Sequence, residues 1–137
     1  SPPLYNDPTQ DDILRYFEAL SDAIDIGIMV YNNPWERHGE IALDTFKKMA
    51  DFEQVMSIKW ANPATYEHSD MAVLASDFNI FENGTKLGEC FRLGGKGFLD
   101  EQSTSYPAHE LEILDLLEAG KYEEGQAMSE AVRVPLG

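Results

Sequence analysis

Val55-Met56-Ser57-Ile58-Lys59-Trp60 is a short apolar run that ends in a base and an aromatic and stops at Asn62-Pro63. Its length and the breaker pair after it mark a β-strand. Side chains alternate along a strand, so Ser57 and Lys59 share one face and Ile58 and Trp60 the other. Ile26-Gly27-Ile28-Met29-Val30-Tyr31 has the same form and runs into Asn32-Asn33-Pro34. Met29 and Tyr31 share a face there. If the two strands are parallel neighbours in a barrel, Lys59 and Tyr31 both reach the carboxyl-end rim and point inward. That rim is where barrel enzymes carry their chemistry. A lysine walled by apolar groups there can lose its proton and attack a carbonyl.

The flanking sequence supplies helices and further strands. Thr9 is a helix N-cap, with Asp11 and Asp12 in the first turn and Ile13, Leu14, Phe17, Leu20 and Ile24 at helical spacing. A second helix is predicted over Ile41–Asp51, burying Ile41, Thr45, Phe46 and Met49. Another is predicted from Asn62-Pro63 to about Ala75, with Met71 and Leu74 as its apolar marks. Asp77–Phe81 reads as a third strand and Thr85–Leu93 as a short helix stopped by Gly94-Gly95. Gly97–Leu99 reads as a short fourth strand. Two helices follow from Pro107, divided at Gly120.

This alternation predicts parallel strands joined by right-handed crossovers. Four βα units make half of a (β/α)8 barrel, strands five to eight, because a whole one needs roughly 250 residues. Residues 1–137 are expected to form one partial-barrel domain. A four-stranded doubly wound sheet is the alternative. Four parallel strands leave two open edges, and Met29, Tyr31 and Phe81 make the interior face apolar, so association is expected. Either a homo-oligomer or pairing with a missing N-terminal half would meet that need.

Composition sets bounds. The 137 residues are 43% hydrophobic, enough for a globular core. The net charge of −15 argues against nucleic acid and anionic membrane as partners. No apolar run approaches membrane-spanning length, and no leader is visible. The single Cys90 allows no intrachain disulfide, which suits the cytoplasm. His38, His68 and His109 lack metal-ligand spacing, so no metal is expected. Cys90 reads as core, and Gly94-Gly95-Lys96-Gly97 as a tight helix-to-strand turn. Glu110, Glu112, Asp115, Glu118, Glu123 and Glu124 read as a solvated helix face.

Four motifs then resemble, in order, those of the dihydrodipicolinate synthase/N-acetylneuraminate lyase family. Pro2-Pro3-Leu4-Tyr5-Asn6-Asp7-Pro8-Thr9-Gln10 resembles its T-P-Y-Y-N-x-P-T/S-Q loop, and Val30-Tyr31-Asn32-Asn33-Pro34 its Y-N-x-P strand end. Ser57-Ile58-Lys59 resembles its G-I-K strand, and Leu93-Gly94-Gly95-Lys96-Gly97 its L-G-G-x-G turn. The resemblance covers about the second half of a family member. It implies that Lys59 forms a Schiff base with pyruvate or another 2-keto acid, with no metal or organic cofactor. It implies that Tyr31 moves protons at the forming imine and that Tyr5 completes a relay across a subunit contact. Gly97 and Leu99 would line the keto-acid pocket.

Two departures bear on the substrate. Glu36 falls where the synthase branch has a substrate-binding arginine, and Arg37 stands one place later, as the remaining candidate for a substrate carboxylate. Glu82 falls where small residues are common, and is expected to narrow the pocket or repel an anion. The family's carboxylate-holding loop after strand two has no counterpart here. The expected function is therefore that of a Schiff-base lyase or aldolase. The competing reading is a catalytically inert half-barrel serving as a scaffold.

Overall fold

A computed structural model of the protein describes residues 1–3, 7–34 and 40–133. The first helix, α1, spans Gln10–Ala23, and Thr9 starts it. The Thr9 hydroxyl accepts from the Asp12 N–H at 3.2 Å, while the Asp12 carboxylate accepts from the Thr9 N–H at 3.0 Å. This reciprocal box satisfies donors that helix geometry leaves orphaned, and it holds the Asp12 carboxyl below its ordinary pKa. One face of α1 buries Ile13 and Phe17.

The strands are β1 (Ile28–Tyr31), β2 (Val55–Trp60), β3 (Asn79–Glu82) and β4 (Gly97–Phe98). They form one sheet in the order β1-β2-β3-β4, every pair parallel. A doubly wound sheet reverses its strand order at a switch point; sequential order is what half of a barrel requires. Helices α2 (Leu43–Met49) and α3 (Leu87–Arg92) connect the strands, and α4 (Pro107–Glu118) and α5 (Tyr122–Arg133) follow β4.

The core lies between the helices and one face of the sheet. Val30, Ile58, Trp60 and Ile80 are fully buried there against Ile13, Phe46, Met49, Met71 and Leu74. Each such side chain contributes about 1.5–3 kcal/mol on leaving water. The other face, carrying Met29, Tyr31, Ser57, Lys59 and Phe81, stays partly open. The alternation read from the strand sequences holds at both strand ends. At its start β2 carries one extra residue: Ile28 pairs with Val55, but Met29 pairs with Ser57.

One predicted helix is absent. Residues 62–75 form only a 3₁₀ turn, His68–Val73. The first donors of the expected helix are taken by Glu40, whose carboxylate accepts from the N–H groups of Ala64 and Thr65. The Tyr66 hydroxyl donates to the Ile41 carbonyl at 2.9 Å and accepts from Asn32 Nδ2 at 3.0 Å. These bonds from another segment outcompete the local helix. The Gly94-Gly95 turn forms as read: Gly94 has a φ of +100°, a left-handed value that favours glycine.

Candidate active site at the carboxyl ends of the strands

The strand register lays one row of residues across the sheet. Tyr31 pairs with Lys59, Lys59 with Phe81, and Phe81 with Gly97. Cα partners in adjacent strands point to the same face, so this row faces the barrel interior. The Lys59 Nζ sits 4.0 Å from the centroid of the Tyr31 ring, within range for an ammonium over an aromatic face. Both residues are half-buried.

They line a cleft of about 490 Å³ together with Asn83, Thr85, Leu99 and Gln102. Asn83 follows β3 directly, and its side-chain Nδ2 donates to the Tyr31 hydroxyl at 3.3 Å. Lys59 is the only basic side chain among the described residues lining this cleft. Leu99 lines it as expected. Gly97 lies beneath the Phe81 ring and lines a neighbouring cleft of about 450 Å³, which Leu99 also lines. A Cβ on Gly97 would come 2.8 Å from Phe81 Cδ1, so glycine lets that ring lie flat over β4. Tyr5 and Arg37 lie outside the described residues.

The motif residues that flank the site are clamps. Asn32 is buried, and its Oδ1 accepts from the Ile41 N–H at 2.9 Å. Gln10 joins α1 to the start of α2: its Nε2 donates to the Glu40 carbonyl, and its Oε1 accepts from Ala42 N and Thr45 Oγ1. Together they tie the end of β1 and the start of α1 to residues 40–45. Burial, with the charge of Glu40, pushes the Tyr66 phenol well above the usual tyrosine range, consistent with a structural hydroxyl.

The next row, Trp60-Glu82-Phe98, faces the helices. This corrects the expectation for Glu82. It is fully buried behind the sheet, not at the cleft, because it stands one residue past the interior-facing Phe81. Its carboxylate lies 3.6 Å from His68 Nε2, and His68 Nδ1 accepts from Trp60 Nε1 at 3.2 Å. Burial lowers the His68 pKa below its ordinary value. The Trp60 N–H works in the same direction, since it occupies the nitrogen that a second proton would need. Cys90 is buried in α3. Burial first, then the negative charge of Glu82, pushes its thiol up to about 12, so it is not poised as a nucleophile.

Glu110 also departs from its reading. It is buried on α4 with Ile113 and Leu117, its Oε1 2.9 Å from His109 Nδ1, while Leu111 is exposed. The other acids of that set are exposed. Among the described residues no group of three or more His, Cys, Asp or Glu side chains could hold a metal ion. No helix among them is long and apolar enough to cross a membrane.

Sequence reading missed Asn83. The signal was present: a hydrogen-bonding side chain directly after a strand whose neighbour carries Lys59 near its end.

The fold and site define a sequential parallel half-barrel of the TIM type with a lysine and a tyrosine paired at its carboxyl rim. The sequence pattern of the dihydrodipicolinate synthetase family matches residues 2–135, and the chain belongs to that family. It is 29% identical over 136 residues to the 4-hydroxy-tetrahydrodipicolinate synthase of Syntrophus aciditrophicus, covering 98% of this chain and 46% of the relative. It is 32% identical over 124 residues to that of Clostridium novyi, covering 89% and 42%. The crystal structure of dihydrodipicolinate synthase from Thermotoga maritima superposes with a TM-score of 0.79 at 27% identity, covering 94% and 46%. That of the Acinetobacter baumannii enzyme complexed with pyruvate superposes at 0.82 with 19% identity, covering 93% and 45%. The chain thus spans slightly less than half the length of the relatives it matches, and it forms half of a TIM barrel.

Proposed function

We propose that residues 1–137 form one partial-barrel domain carrying the Schiff-base end of a lyase or aldolase that acts on pyruvate or another 2-keto acid. The observation that carries this reading is the Lys59 Nζ lying 4.0 Å over the Tyr31 ring at the strand carboxyl ends, in a chain of this family. The amine of Lys59, once deprotonated, attacks the keto carbon. Tyr31 gives its phenol proton to the carbonyl oxygen, which forms a carbinolamine. Loss of water leaves an iminium ion. The iminium draws electrons from the adjacent carbon, whose proton passes back to the Tyr31 phenolate, and the enamine so formed makes or breaks the carbon–carbon bond.

A 2-keto acid also brings a carboxylate, and Lys59 is the only base among the described cleft residues. The carboxylate must then be held by Arg37 or by a complementary half-barrel. Where Arg37 does not hold it, turnover in this reading needs association, either as a homo-oligomer or with an N-terminal half. The open interior face, with Met29 41% exposed, supports the same requirement. We place the protein in the cytoplasm, because its one thiol is buried and unpaired.

The competing reading, an inert scaffold, is separated by trapping. Incubation with pyruvate and borohydride, then digestion and mass spectrometry, is expected to find a reduced adduct on Lys59. An adduct on Lys96 or Lys121 alone, or none even with the complementary half supplied, would leave the scaffold as the better reading.

A further inference from the structure

Tyr31 and Asn83 belong to strands that do not touch. The order β1-β2-β3 puts the whole of β2 between them, yet Asn83 Nδ2 reaches the Tyr31 hydroxyl at 3.3 Å. The bond therefore bridges the end of β2, the strand that carries Lys59. Backbone geometry makes it durable. The Asn83 N–H donates to the Trp60 carbonyl at 2.7 Å, which extends the β2–β3 ladder one residue past the strand. The Asn32 N–H donates to the Lys59 carbonyl at 3.2 Å and does the same on the β1 side.

We infer that Asn83 is a positioning residue for Tyr31, which fixes the phenol over the lysine strand and directs the phenol's own proton into the cleft. The inference rests on the proposed role of Tyr31 in the Schiff-base reaction. A phenol oxygen has one proton to give and lone pairs that accept. With the Asn83 amide N–H on one lone pair, the hydroxyl hydrogen turns elsewhere, toward the space over Lys59 where a carbinolamine oxygen would form. The same N–H stabilises the phenolate left after the proton has gone. Asn83 is thus arranged to help the tyrosine first give and then retake a proton, without touching the reacting atoms. An acceptor in its place would do the opposite: it would hold the proton and repel the phenolate.

The test reads the phenol directly. Residues 1–137 are labelled with ring-carbon-13 tyrosine, ring-carbon spectra are recorded by NMR at one neutral pH, and the Tyr31 signal is assigned by its loss in Tyr31→Phe. Asn83→Ala removes the donor. Asn83→Asp keeps the shape and supplies only acceptors. Both keep the backbone bond to Trp60, and the remaining tyrosine signals report folding. The signal of the hydroxyl-bearing ring carbon of Tyr31 is expected to move away from its parent position in Asn83→Ala, where the donor is lost, and to move again in Asn83→Asp, where an acceptor replaces it. A Tyr31 signal in Asn83→Ala that overlays the parent's would overturn the inference, whatever Asn83→Asp does. Borohydride trapping of Lys59 is run on the same samples. A shifted phenol with no trapping would defeat the Schiff-base reading and leave the Asn83–Tyr31 contact standing. Trapping with an unshifted phenol would do the reverse.

Discussion

Gly95→Ala is expected to destabilise the fold through one identified collision. Gly95 closes the turn from α3 into β4, and its N–H donates to the Cys90 carbonyl at 2.8 Å. A Cβ there would meet Cys90 Sγ and lie 2.9 Å from the Cys90 carbonyl oxygen. Cys90 is fully buried in α3, so neither atom can withdraw toward solvent. Overpacking of this kind costs about 1–3 kcal/mol. Loss of glycine's freedom in the unfolded chain returns about 0.4–1 kcal/mol. The net loss is then up to about 2.6 kcal/mol, read as a lower midpoint in urea unfolding followed by circular dichroism. A double-mutant cycle isolates the cause. Cys90→Ala removes Sγ, so adding Gly95→Ala to it should cost less than in the parent, with a coupling of about 0.5 kcal/mol or more. A Gly95→Ala variant more stable than the parent, or strictly additive effects, would refute this account of the turn. The turn matters to the site because the Lys96 N–H, donating to the Ile80 carbonyl at 2.8 Å, opens the β3–β4 ladder that brings Gly97 under Phe81.

Two further outcomes follow from the site and its rear wall. Tyr31→Phe keeps the ring under Lys59 and removes the proton carrier, so turnover in any active assembly should fall about 10²–10⁴-fold. Unchanged steady-state rates with chemistry limiting would remove Tyr31 from the mechanism. Buried His68 resists protonation in the folded state, so the unfolded chain takes that proton more readily. Its contribution to stability is therefore lost as pH falls below the ordinary histidine value of 6.5. His68→Gln, which keeps an acceptor for Trp60, should therefore flatten the fall in urea midpoint between pH 7.5 and 5.5. Parallel curves for parent and variant would show that His68 is not the group responsible.

The sheet was legible because two independent periodicities agreed. Alternation in Val55–Trp60 placed Ile58 and Trp60 in the core and Lys59 opposite, and the pairing of Tyr31 with Lys59 placed both at one end. What was not legible depends on bonds between distant segments. The helix expected over residues 62–75 gives way because a carboxylate at Glu40 and a hydroxyl at Tyr66 bind across the loops, and no local pattern announces them. Glu110 enters the buried face of α4 because its neighbours Ile113 and Leu117 set the helix phase, although its charge alone suggests a solvated position.

Glu82 and Asn83 show the same limit at one-residue resolution. Each is polar and each stands at the end of β3, yet alternation sends the first behind the sheet to His68 and the second over its rim to Tyr31. Reading them apart required knowing where β3 ends, and strand ends are the least certain part of a sequence reading. The chemistry of the site turns on that one residue. A one-residue slip in the register of β3 would turn the Glu82 carboxylate to the face that carries Tyr31 and Lys59.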